Sequence, residues 1–184
     1  MENKETSSQN NSENYDSLEL NLLVDHILNT HHAYVKENTQ LILSYTKKIA
    51  EVHGAYHPEL LKIETIFVGV ANDMLGHLRK EEDVLFPNIR KIVTANENDS
   101  DEKLEPVSWL IQGMETEHEY VGNEMQKIAN LSTNFTPPPD GCSTYQIAFQ
   151  KLKEFEENLQ QHVHLENNIL FKKIIEVEKK MNLI

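Results

Sequence analysis

"HLRKEEDVLF", residues 77–86, and "HVHLENNILF", residues 162–171, are two versions of one pattern: histidine, three residues, glutamate, two polar residues, an aliphatic, Leu and Phe. Both lie in sequence with the period of an amphipathic helix. Residues four apart on a helix share a face, so His77 with Glu81, and His162 with Glu166, each aim two donor groups the same way. Stepping by threes and fours, the seam around the first stretch reads Ile63, Phe67, Val70, Met74, His77, Glu81, Val84. Around the second it reads Tyr145, Ala148, Leu152, Phe155, Leu159, His162, Glu166, Ile169. The polar pairs therefore sit where a helix should be apolar.

Working outward, two more helices carry the same kind of interruption. One has the seam Val107, Ile111, Met114, His118, Val121, Met125, Ile128. The other, nearest the N-terminus, allows two phases: one through Leu28, His32, Val35, Ile42 and Ile49, and one that swaps in Val24, His31 and Tyr45. Boundaries follow from punctuation. The first helix starts near Asp16 or Ser17 and runs to about Val52, closed by Gly54; the second opens at Pro58 and continues into the 90s, with Pro87 as a kink or local break. After the polar loop "TANENDSDEK" (94–103), Pro106 opens a third helix that ends near Leu131. "STNFTPPPDGC" (132–142) breaks the chain, and a fourth helix runs from about Ser143. Strand signals are missing, and four long helices with short connections predict an all-α fold, an up-down-up-down four-helix bundle over residues 17–184. Residues 1–16 are too polar to offset their ordering entropy and read as a disordered leader.

Composition narrows the function. With 184 residues the chain has room for one domain with a sizeable core. Thirty acidic against 17 basic residues, a formal charge of −13, argue against nucleic acid and anionic membrane as partners. No apolar run approaches the ~18 residues of a spanning helix, and the N-terminal stretch lacks the basic and apolar regions of a signal peptide. A cytoplasmic protein is expected. A single cysteine, Cys142, excludes an intrachain disulfide framework and any multi-cysteine zinc or iron-sulfur site within the chain.

A lone histidine in an apolar seam is ordinarily a hydrogen-bonded core residue. Four histidines and two glutamates gathered in one core are different, because each unsatisfied buried polar group costs ~1–3 kcal/mol and a buried charge more. Cations at the centre remove that cost. Two carboxylates able to bridge, with two imidazoles left for each ion, suit a pair of iron ions between facing helices; imidazole with carboxylate also accepts zinc or manganese. Level along the bundle agrees. His32 and His77 each lie about 20 residues, or ~30 Å at 1.5 Å per residue, from the turn between the first two helices, whereas His53 and His57 lie at that turn and fall outside the cluster. The Glu-x-x-His spacing of ferritin-like sites occurs only at Glu115 to His118. A phosphotransfer histidine, with His77 exposed beside Arg79 and Lys80, conflicts with the place of His77 on the seam.

These residues resemble the hemerythrin-like domain, and more closely the di-iron proteins of the repair-of-iron-centres family. The likeness covers nearly the whole chain from about residue 18: "DHI" with the histidine that follows at 25–32, "VH" at 52–53, "KEEDVLFP" at 80–87, "ETEH" at 115–118, "TPPPDGC" at 136–142 and "HVHLENNILF" at 162–171. The resemblance implies His32 rather than His31 as the ligand from the first helix, with His77, His118 and His162 as the others and Glu81 and Glu166 as bridges. It also implies two iron ions as cofactor, a pair that accepts an oxo or hydroxo bridge. The implied function is repair of iron-sulfur clusters damaged by nitrosative or oxidative stress, by supply of iron from a labile site to iron-sulfur proteins as clients. An alternative is an oxygen or nitric-oxide binding or reducing protein that retains its iron. Oxygen-carrying hemerythrins have an extra histidine one turn from the ligand of the third helix; the neighbours of His118 here are Met114 and Gly122. Family members commonly carry an N-terminal domain with adjacent cysteines where this chain has its polar leader, so delivery to a client is expected to involve another protein. His31 and His164, which flank ligands, are candidates for support from behind the site.

Overall fold

The computed structural model describes residues 15–98 and 104–184. Its helices form four antiparallel rods, three of them interrupted by one π turn. The first joins α1 (Leu20–Ile27) through the π turn Leu28–His32 to α2 (Ala33–His53). The second joins α3 (Glu59–Lys80) through the π turn Glu81–Leu85 to α4 (Phe86–Asn98). The third is α5 (Ser108–Leu131); the fourth joins α6 (Ser143–Leu165) through the π turn Glu166–Leu170 to α7 (Phe171–Lys180). α2 packs on α3 and α6, and α5 closes the ring against α3 and α6. This is the expected all-α, up-down-up-down bundle. Residues 1–14 of the anticipated leader lie outside the described residues, while Tyr15 and Asp16 belong to a 3-10 turn, Tyr15–Ser17.

The π turns explain where the buried seams depart from regular spacing. A π turn takes one more residue than an α turn, so it moves the inward face by one position. After Glu81 the seam passes to Leu85, fully buried, and Val84, expected on it, is 41% exposed. In the first rod the same shift lets both phases hold. Leu20, Val24, Ile27 and His31 are buried ahead of the turn's end, and His32, Val35, Thr39, Ile42, Thr46 and Ile49 beyond it. Tyr45 and Leu28 are half-buried. Thr39 and Thr46 satisfy their hydroxyls on the carbonyls of Val35 and Ile42, one turn back.

Two boundaries differ from the sequence expectation. Pro87 produces no break; it is the second residue of α4, directly after a π turn. The matching π turn of the fourth rod is followed by Phe171 and Lys172, so proline is not what makes these turns. Residues 94–98, expected in a loop, are helical, because Ile92, Val93 and Ala95 extend the buried face of α4. The rest of that loop, 99–103, lies outside the described residues.

Apolar side chains segregate into two clusters. One, toward the α2–α3 turn, contains Val35, Ile42, Phe67, Met74, Phe155 and Leu159. The other, toward the opposite end, contains Leu23, Ile27, Phe86, Ile111, Leu170 and Phe171. The π turns and the histidines lie at the level between them. At the far end, the buried Glu178 of α7 accepts the Val107 N–H ahead of α5, a donor that the helix itself leaves unpaired.

Phe67 is fully buried and meets Phe155 edge to face, with centroids 5.3 Å apart. Phe67→Ala should lower unfolding stability by about 3–5 kcal/mol in a denaturant titration, through lost burial and the cavity left behind. A loss under 1 kcal/mol would mean that this cluster does not carry the fold.

Candidate metal centre

Each π turn carries a candidate ligand at one end. Glu81 and Glu166 are the first residues of their turns and His32 is the last of its own, while His77, His118 and His162 come from regular helix. The wider turn re-aims a side chain without ending the rod, as π bulges do at functional sites. All six side chains are buried, with at most 3% exposure.

The six form two groups of four donors, each donor within 4.8 Å of the others in its group. His32, His162 and one oxygen from each glutamate make the first; His77, His118, Glu81 and Glu166 make the second. The carboxylates are shared. Glu81 turns Oε2 toward His32 Nε2 at 3.3 Å and Oε1 toward His77 Nε2 at 3.3 Å. Glu166 turns Oε1 toward His162 Nε2 at 3.0 Å and Oε2 toward His118 Nε2 at 3.1 Å. Every histidine presents Nε2, and every carboxylate divides its two oxygens between the groups.

Among the described residues neither oxygen of Glu81 or Glu166 has a hydrogen-bond partner, nor does Nε2 of His32 or His162. Buried carboxylates in that condition are unfavourable unless cations lie among them. The donor set of imidazole nitrogen and bridging carboxylate oxygen fits two transition-metal ions. Protons compete for the same place. Burial alone would lower the pKa of His77, but Glu81, Glu166 and Glu117 more than offset it and push it up to about 9. Metal uptake at neutral pH therefore displaces protons, and apparent affinity falls as pH falls.

Outer contacts fix the rings, and these residues had not been singled out in the sequence. His32 Nδ1 meets Glu82 Oε1 at 2.7 Å, and Glu82 Oε2 accepts from Lys36 at 2.6 Å. His77 Nδ1 meets Glu117 Oε2 at 2.9 Å, and Lys80 donates to the other oxygen of Glu117. His118 Nδ1 meets Asn167 Oδ1 at 2.9 Å. Such partners set the tautomer and raise ligand basicity. A signal for two of them was present in the paired stretches: Glu82 and Asn167 each follow the shared glutamate directly, and each holds a histidine of another rod.

Other histidines fall as follows. His31 is buried beside His162, and burial with the neighbouring His162 lowers its pKa to about 4, so it is neutral at pH 7. His26, half-buried, packs between Tyr15 and His31. Glu115 is exposed and takes no part. His164 is exposed and lines a groove of about 300 Å³ between α5 and α6, whose floor includes His118, Gly122 and Met125. His53 and His57 stay at the α2–α3 turn, as expected; His53 Nε2 is 3.1 Å from Sγ of the exposed Cys142, and His57 bonds Asp140 and Glu59.

Two outcomes follow. Glu166→Gln keeps the shape but removes a shared charge, so bound metal should fall below one ion per chain by elemental analysis. The rise in Tm that metal gives the unsubstituted protein should vanish with it; a variant that still gains stability from metal would exclude Glu166 from the site. At the other end, the hydrogen bond from His53 and the Tyr145 and Thr144 N–H groups at the start of α6 lower the Cys142 pKa to about 7. Alkylation of Cys142 should reach half its maximal rate near pH 7, and His53→Gln should move that midpoint up toward ordinary thiols near ~8.5. An unmoved midpoint would show that His53 does not act on the thiol.

Comparison with known proteins gives a consistent answer. The model of the hemerythrin HHE cation binding domain matches residues 23–174. The iron-sulfur cluster repair protein ScdA of Staphylococcus epidermidis is 30% identical over 157 residues, 85% of this chain and 67% of that protein. A probable iron-sulfur cluster repair protein of Haemophilus influenzae is 28% identical over 172 residues, 94% of this chain and 73% of that one. The iron-sulfur cluster repair protein YtfE of Yersinia pseudotuberculosis is 28% identical over 167 residues, 91% and 71% of the two chains. With the family model covering all but the ends of the bundle and all six clustered residues, the chain belongs to the hemerythrin HHE cation-binding family.

Proposed function

We propose that the protein holds two iron ions and serves the repair of iron-sulfur clusters damaged by nitrosative or oxidative stress, by giving up iron to iron-sulfur proteins as clients. In this reading His32 and His162 hold one ion, His77 and His118 the other, and Glu81 and Glu166 bridge them. The observation that carries it is the sharing of two buried carboxylates, free of hydrogen bonds, between two imidazole pairs. Names of the relatives supply the client class.

Iron supply in particular is favoured by how few groups the chain commits. His32 with His162, and His77 with His118, would each offer an iron ion two imidazoles and a share of the two carboxylates. Met114 and Gly122, one turn either side of His118, add no further nitrogen donor. Gly122 meets no atom within 4 Å of where a Cβ would stand, and it borders the groove that reaches His118. That opening gives water or a small ligand a way to the ring. Bound iron supplies Lewis acidity and redox capacity; the chain supplies the rigid imidazoles, the negative charge and the screen of apolar residues on both sides.

Incubating iron-loaded protein with an apo iron-sulfur enzyme should transfer iron, seen as loss of metal from this chain and recovery of cluster absorbance and activity in the client. Full retention of iron while nitric oxide or oxygen is consumed would overturn the donor reading in favour of a diatomic-ligand protein. A resident content of a single zinc, or none, would overturn the di-iron reading itself.

A further inference from the structure

The six clustered residues leave one asymmetry. Three of the four histidines have a partner at Nδ1: Glu82 for His32, Glu117 for His77, Asn167 for His118. His162, fully buried, has no hydrogen-bond partner at Nδ1 among the described residues. Beside it stands His31, 2% exposed, its ring parallel to that of His162 within 4° at a centroid distance of 5.7 Å. His31 Nδ1 is likewise buried without a partner. Asn158 lies one turn before His162 on α6, interacts with the His31 ring, and has its amide oxygen buried and unpaired. Three unpaired polar atoms therefore belong to side chains grouped about one candidate ligand.

The first-rod π turn accounts for the grouping. In a regular helix, consecutive residues point about 100° apart, so two adjacent histidines do not both face a core. A π turn winds more slowly, and it ends at His32. His32 reaches Glu81 while His31 lies parallel to the ring of His162, and both are buried. Burying a histidine beside an asparagine is unfavourable unless they bond. Polar groups in such a place bond each other directly or through an ordered water with several partners.

We propose that His31 and Asn158 are positioning residues for His162, supplying through their polar atoms the outer support that carboxylate or amide groups give the other three histidines. The inference rests on His162 being a metal ligand and is independent of whether iron is donated. Ligand histidines that lose such support typically bind metal 10–100-fold more weakly. Stacking alone would be preserved by a phenyl ring; polar support would not.

The test uses the full chain loaded with cobalt(II), a paramagnetic probe that shifts the exchangeable N–H protons of ligand imidazoles out of the protein envelope. Unsubstituted protein should show four such signals, one per ligand histidine. In Asn158→Leu and in His31→Phe the signal of His162 should disappear through exchange with water while three remain. Cobalt release to a chelator should quicken 10–100-fold in both variants. Circular dichroism and melting of the metal-free variants control for misfolding, and Asn158→Asp, which restores an acceptor, should recover slow release. Four persistent signals with release within twofold of the unsubstituted rate would overturn the proposal, as would normal behaviour of His31→Phe. If the unsubstituted protein bound no cobalt, the ligand reading would fall together with it.

Discussion

Two buried carboxylates lie where an apolar bundle would place leucines, and the organisation of the molecule turns on accommodating them. Glu81 and Glu166 are fully buried, divide their oxygens between two pairs of imidazoles, and have no hydrogen-bond partner. An arrangement of that kind is unfavourable as a bare protein and favourable around cations. The architecture follows from it. Three rods carry a π turn at this level, the apolar residues divide into clusters on either side, and the outer nitrogens of three histidines are tied to partners on other rods.

The negative charge continues outward in a graded way. Glu82 and Glu117 stand behind His32 and His77, and each is drawn below the usual carboxylate range by its lysine and its histidine, against the opposing effect of partial burial. Lys36 and Lys80 close these chains at the surface. Seen this way, the site is a layered charge distribution with anions at the centre, imidazoles around them, a second ring of anions, and cations at the edge. Such layering favours divalent ions at the core while limiting the net charge presented to solvent.

Much of this was legible in the sequence because helical period and donor chemistry are both local. His77 with Glu81 and His162 with Glu166 appear as pairs four residues apart, and every residue of the α5 seam from Val107 to Ile128 is buried as its spacing requires. What spacing could not supply is of two kinds. The π turns change the period itself, which is why Val84 is exposed and why neither phase of the first rod accounts for it alone. The outer contacts join residues 37 to 89 positions apart, Lys80 with Glu117 and His53 with Cys142 among them, and depend on which rods become neighbours. Choosing His32 over His31 needed the family resemblance; the structure then shows both histidines inside, in different roles in space.

The division of the interior into two apolar clusters has a mechanical meaning. A buried polar layer between two oily halves is a poor joint, and cations held among residues of all four rods would act as a rivet. Bound metal would then set how firmly the half holding Phe67 is coupled to the half holding Phe86, and so how cooperatively the rods open and how readily a protease finds a frayed end. A chain without cations at that level would be a looser object than one that carries them.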